Sequence, residues 1–195
     1  MFHRLMPVAG ALALLVAGPA LAHHPMEGMQ LVPSAFTGLI SGLAHPLLGP
    51  DHLLFLVALA LVGLQRSGRW MITLLAVGLA GSSLGLIWPG LPAAELLVSL
   101  TLVVEGLVVL GRLPQGLLLP AFALHGYVLS GSVIGWESTP IATYLLGLLL
   151  SQGALLLALL SLRGVAQQLN VQTRTLLAGT LIGIGAAFSW TTLVA

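Results

Sequence analysis

Long apolar stretches with almost no charge in them constrain this chain more than any other feature. A helix needs about 20 apolar residues to cross a bilayer. Residues 70–88, 93–111, 115–133, 139–162 and 174–194 each meet or nearly meet that length. The breaks between them, "WPGLP", "GRLPQ", "GWESTP" and the polar "RGVAQQLNVQTR", read as turns. One further apolar region, 33–65, is too long for one straight span and too short for two. Only 6% of the 195 residues are charged and 58% are hydrophobic, where a soluble domain carries roughly a quarter charged residues. The expected architecture is an all-α, polytopic membrane helix bundle of about six transmembrane helices, the first broken at His45–Asp51, following a cleaved signal peptide.

The N-terminal "MFHRLMPVAGALALLVAGPALAHH" supports that last element. It has Arg4, an apolar run and then Ala20-Leu21-Ala22, which matches the n-region, h-region and cleavage site of a secretory signal. Residues 1–22 are read as the signal peptide and 23–195 as a single transmembrane domain; the alternative is an uncleaved first helix. With the mature N-terminus outside, Arg66, Arg69, Arg112, Arg163 and Arg174 all fall in cytoplasmic loops, as the positive-inside rule asks. The mature N-terminus is therefore expected on the outer side of the membrane. The net charge of +1 gives no reason to expect a nucleic-acid partner. Without cysteine, thiolate sites and disulfides are excluded and any metal must be held by nitrogen and oxygen donors.

Polar residues stand out against this background. "HPLLGPDH" places His45, Asp51 and His52 in the first apolar unit, with Pro46, Gly49 and Pro50 among them. A buried charge costs several kcal/mol, on the order of 3, unless it is paired or lines a polar cavity. On a continuous helix the two histidines would lie about 10 Å apart along the axis, too far for one ion bound at about 2 Å. The prolines remove backbone donors and Gly49 permits a sharp bend. A break between His45 and Asp51 would bring the imidazoles together and leave Asp51 to cap the next helix. Broken helices are how transporters build ion sites at membrane depth.

His125, in "FALHGYVLSG", and Glu95, opening the third unit, are placed with this cluster on the outer side. Glu105 lies ten residues beyond Glu95, about 15 Å deeper on a helix, as a relay, an exit ligand or a protonated acid bonded to a neighbouring helix. Cleavage after Ala22 would expose His23 and His24 behind a free amine, a ligand set suited to nickel or copper. Ser151, Gln152, Tyr127 and Ser130 are polar enough to support a site, though such residues also serve as glue between membrane helices. Imidazole with carboxylate suits divalent nickel, cobalt, zinc or iron, and argues against monovalent copper.

The string "HPLLGPDHLLFLVAL" resembles the His-Pro-x-x-Gly-x-Asp-His signature of the HupE/UreJ family of bacterial membrane proteins. The signal peptide ending in Ala-His, Glu95 opening a later helix and "HGY" at 125–127 follow the same order. The resemblance implies a secondary nickel or cobalt permease, with His45, Asp51 and His52 on the signature positions and His125 on the second histidine segment. Many members continue His-Gly-Tyr-Ala-His-Gly; here Leu129 stands where the second histidine would be, and Ser151 and Gln152 occupy the region of a later Leu-His.

The expected metal-binding residues are thus His45, Asp51, His52, His125, Glu95, His23 and His24, with the ion carried as substrate rather than held as a tight cofactor. The expected partners are the lipid bilayer and the divalent ion, with a homo-oligomer or a further membrane protein as open alternatives. No nucleotide-binding Gly-x-x-x-x-Gly-Lys-[Ser/Thr] occurs, so the membrane potential or a separate ATPase would drive uptake. A non-transporting metal sensor or accessory protein is a second reading. A zinc-dependent intramembrane hydrolase is a third, against which stands the lack of His-Glu-x-x-His and Gly-x-Ser-x-Gly.

Overall fold

A computed structural model describes residues 32–63, 68–161 and 168–194, and among these described residues there are seven α-helices. They are α1 (Ala35–Leu48), α2 (Pro50–Gly63), α3 (Gly68–Ile87), α4 (Ala94–Val109), α5 (Leu118–Leu129), α6 (Ser138–Ser161) and α7 (Val171–Val194). Short 3-10 turns at Gln115–Leu117 and Gly131–Val133 extend α5 at both ends. Among the described residues there is no strand. The expected signal peptide, with His23 and His24 beyond it, lies outside the described residues.

Among the described residues, four segments are long and apolar enough to cross a membrane: Arg69–Ile87, Gln115–Val133, Ser138–Ala158 and Val171–Val194. Taken as one span, the pair α1 and α2, bent by 75° at its break, makes a fifth. The third expected span is present as α4, but its 16 residues cover only about 24 Å, less than a hydrocarbon core of about 30 Å. Turn-forming residues shorten it at both ends. Gly90 (φ 90°) and Ala93 (φ 55°) precede it, and Gly111 (φ 69°) follows it.

The helices pack mainly as three pairs, α1 with α6, α3 with α5, and α4 with α7. Lipid gives helices no hydrophobic reason to associate, so close packing of small residues takes over. A Cβ on Gly42 would meet the Tyr144 backbone of α6, one on Gly126 the Gly78 backbone of α3, and one on Gly185 the Ser99 carbonyl of α4. Helix α2 runs among the pairs, touching α1, α4, α6 and α7. Its Phe55, Leu56 and Leu59 are buried with Leu102 (α4), Phe122 (α5), Leu156 (α6) and Phe188 (α7). The helix that follows the break is therefore the centre of the bundle.

The break falls at Gly49, which ends α1 in extended backbone (φ −78°, ψ 110°). Pro50 then opens α2, where its missing N–H removes no helical bond. Two expectations are corrected here. Pro46 does not break the chain but lies inside α1. Having no N–H, it cannot serve the carbonyl of Gly42 four residues earlier, and Ser151 of α6 donates to that carbonyl instead, at 3.2 Å. Asp51 sits in the first turn of α2 rather than at its cap, because Pro50 already begins the helix.

Candidate metal centre

The bend brings together residues that a straight helix would separate. The His45 and His52 rings lie 5.9 Å apart, edge to face. His52 Nδ1 faces His125 Nδ1 at 2.9 Å, so α5 closes the cluster that α1 and α2 begin. His45 and Asp51 are 0% exposed, His125 1% and His52 2%. Three imidazoles and a carboxylate are thus removed from solvent at the junction of three helices.

Each ring is held by neighbours. Phe55, one turn along α2, stacks on His125 with centroids 3.9 Å apart. Thr101 of α4 bonds His125 Nε2 at 2.6 Å and the carbonyl of Val98 at 2.6 Å. Tyr144 of α6 bonds His45 Nδ1 at 2.8 Å and donates a short hydrogen bond to the Leu129 carbonyl. Ser132, in the turn after α5, also approaches His45 Nδ1, at 3.3 Å. The ring of His52 leaves no room behind it: a Cβ on Gly49 would come within 2.7 Å of its Cδ2 and 3.4 Å of Asp51 Oδ1.

The HupE / UreJ protein family matches the chain over residues 11–188. The chain belongs to that family. No curated protein and no solved structure matches it. HupE/UreJ proteins are associated with nickel and cobalt transport, which makes this HupE/UreJ protein a multi-pass membrane protein of a metal-transport family. Its signature residues His45, Asp51 and His52 are those gathered at the bend.

Other expected residues lie elsewhere in this HupE/UreJ fold. Glu95 is half-buried in the first turn of α4, six residues and so about 9 Å along the axis from Thr101. Glu105 is one turn beyond Thr101 on the same face and fully buried, and neither of its carboxyl oxygens meets a hydrogen-bond partner among the described residues. Tyr127 binds the turn between α3 and α4 through the Trp88 carbonyl (2.6 Å) and the Leu91 N–H (2.9 Å). Ser130 donates to the Tyr127 carbonyl at 2.6 Å. Both are structural ties rather than part of the cluster. Leu129 is buried with Val133, Tyr144 and Leu148.

Among the described residues, no group of three His, Asp or Glu side chains stands ready to hold an ion. His52 and His125 turn their Nδ1 atoms on each other instead. The donors are the right chemistry for a borderline divalent ion, and they are engaged in hydrogen bonds that an arriving ion must replace or use. Thr101, Tyr144 and Ser132 were not singled out from the sequence. Hydroxyl residues are common in membrane helices, and the available signal was slight: Thr101 precedes Glu105 by four residues, and Tyr144 is one of two tyrosines.

Proposed function

We propose that this protein is a secondary permease that imports a divalent transition metal, nickel or cobalt, across the bacterial inner membrane. The observation that carries the reading is the burial of His45, Asp51, His52 and His125 at a 75° break in an apolar bundle. Ionisable residues in membrane spans are costly and mark ion pathways. A transported ion must also leave, so a site should bind strongly enough to enter and weakly enough to release. Donors tied into exchangeable hydrogen bonds suit that requirement better than a closed cage.

In this reading the mature N-terminus is periplasmic, and Glu95 with His23 and His24 meets the ion outside. The ion loses water at His45, Asp51 and His52, beside His125, and leaves inward past Glu105. The membrane potential favours inward movement of a cation, by about 2.3 kcal/mol per charge per 100 mV.

The test is uptake of radiolabelled nickel and cobalt into sealed proteoliposomes with an inside-negative potential. Wild-type protein should give saturable uptake, and His52→Ala should lose it while inserting and folding normally. Equal uptake by both proteins would sink the site. Binding without uptake would point to the sensor or accessory reading.

A further inference from the structure

We propose that Thr101 and Tyr144 are positioning residues that decide which imidazole nitrogen His52 and His45 offer to a metal, namely Nε2 in both, and that His125 holds His52 from behind. The metal-binding part of this proposal rests on the permease reading; the placement of the protons does not.

The argument is a proton count along two chains of hydrogen bonds. Metal binding requires neutral imidazoles, and a neutral imidazole has one N–H and one lone pair. Proton positions follow from the partners. The Thr101 hydroxyl lies 2.6 Å from the Val98 carbonyl oxygen. A carbonyl cannot donate, so the single hydroxyl proton lies between them. Thr101 then has only lone pairs for His125 Nε2 at 2.6 Å, and His125 must carry its proton on Nε2. Its Nδ1 is therefore a lone pair. His52 Nδ1, at 2.9 Å from it, must supply the proton of that bond. The lone pair of His52 is left on Nε2.

The second chain repeats the logic. The Tyr144 hydroxyl donates to the Leu129 carbonyl and has only lone pairs for His45 Nδ1 at 2.8 Å; that contact is closer than the one from Ser132 at 3.3 Å, so His45 Nδ1 donates to Tyr144. The lone pair of His45 is also on Nε2. In each chain a main-chain carbonyl sets a hydroxyl, and the hydroxyl sets an imidazole. A ligating histidine ordinarily donates its other N–H to a partner that fixes its tautomer. Here that partner is His125 for His52 and Tyr144 for His45. Thr101 acts at one remove, through His125.

The decisive measurement is nitrogen NMR of histidine-labelled, metal-free protein in lipid at about pH 8, where imidazoles are neutral. Signals are assigned by their loss in His45→Gln, His52→Gln and His125→Gln. Wild type should show His125 protonated at Nε2, and His52 and His45 protonated at Nδ1. Thr101→Val removes the acceptor, so the His52–His125 pair should populate the reversed arrangement, with His52 protonated on Nε2. Nickel and cobalt affinity, read by titration calorimetry, should fall about 10- to 100-fold. Thr101→Ser should restore both spectrum and affinity, and Tyr144→Phe should alter His45 alone.

Wild-type His125 protonated at Nδ1 would overturn the proposal. So would Thr101→Val spectra identical to wild type, even with weakened binding, because that is the mark of a merely structural residue. Wild-type protein that binds neither metal would overturn the permease reading, while the spectra would still decide the proton chains.

Discussion

Gly49 ends α1 in extended backbone that any residue before a proline adopts, so what needs the glycine is space for the His52 ring, which a Cβ would meet at 2.7 Å. Gly49→Ala should therefore destabilise the protein by about 1–3 kcal/mol through overpacking. In a His52→Ala background, where the ring is gone, the same change should cost much less. Thermal unfolding of the four proteins in detergent checks this; equal costs in both backgrounds would show that the backbone, not the ring, needs the glycine. Histidines and an aspartate in an apolar span are visible in a sequence because water-soluble chemistry has no other reason to be there. Thr101 and Tyr144 were not visible for the opposite reason. A hydroxyl can bond its own helix, as Ser99 does to the Glu95 carbonyl at 2.9 Å, and nothing in a sequence says which hydroxyl also reaches an imidazole.

At the scale of the element, Pro46 and Ser151 form a matched pair. The proline deprives the Gly42 carbonyl of its helical donor, and the Ser151 hydroxyl of α6, shared with the Leu148 carbonyl of its own helix at 3.3 Å, replaces it at 3.2 Å. Freed backbone groups in membrane helices are commonly satisfied this way. Ser151→Ala leaves a buried acceptor without a donor and should cost about 1–3 kcal/mol. Pro46→Ala supplies an N–H of its own, so Ser151→Ala should then be nearly neutral. A double-mutant cycle by thermal unfolding measures the coupling, and a coupling near zero would refute the pairing. The break itself was legible from Pro46, Gly49 and Pro50, and so was its place between His45 and Asp51, but not that Pro46 would stay inside the helix. Proline breaks a helix only where no neighbour repairs the loss, and the repair comes from a residue more than 100 positions away. The same dependence on neighbours hid the shortness of α4, whose apolar run continues into turns that other helices fix, as Tyr127 does for the turn before it.

For the whole molecule, alternation of the spans puts the α2–α3, α4–α5 and α6–α7 junctions on one side. Arg69, Arg112 and Arg174 lie at those junctions, which the positive-inside rule assigns to the cytoplasm. The chain has no cysteine, so single introduced cysteines report cleanly. Gly116→Cys, between α4 and α5 in open space, should react with an impermeant maleimide only after cells are permeabilised. Thr139→Cys, exposed at the start of α6, should react in intact cells. The reverse pattern would invert the topology. The helical bundle and most of its spans were readable from hydropathy, because the bilayer imposes them on a chain one segment at a time. Which helices pair was not, because pairing depends on shape. The order of synthesis gives that pairing a consequence in time. His45 waits 99 residues for Tyr144, and His52 waits 73 for His125. A nascent chain that has emerged only as far as α4 already holds both signature imidazoles, yet none of the side chains from α5 and α6 that fix them. The site is finished late in synthesis, so an incomplete protein in the membrane is not yet a competent metal carrier.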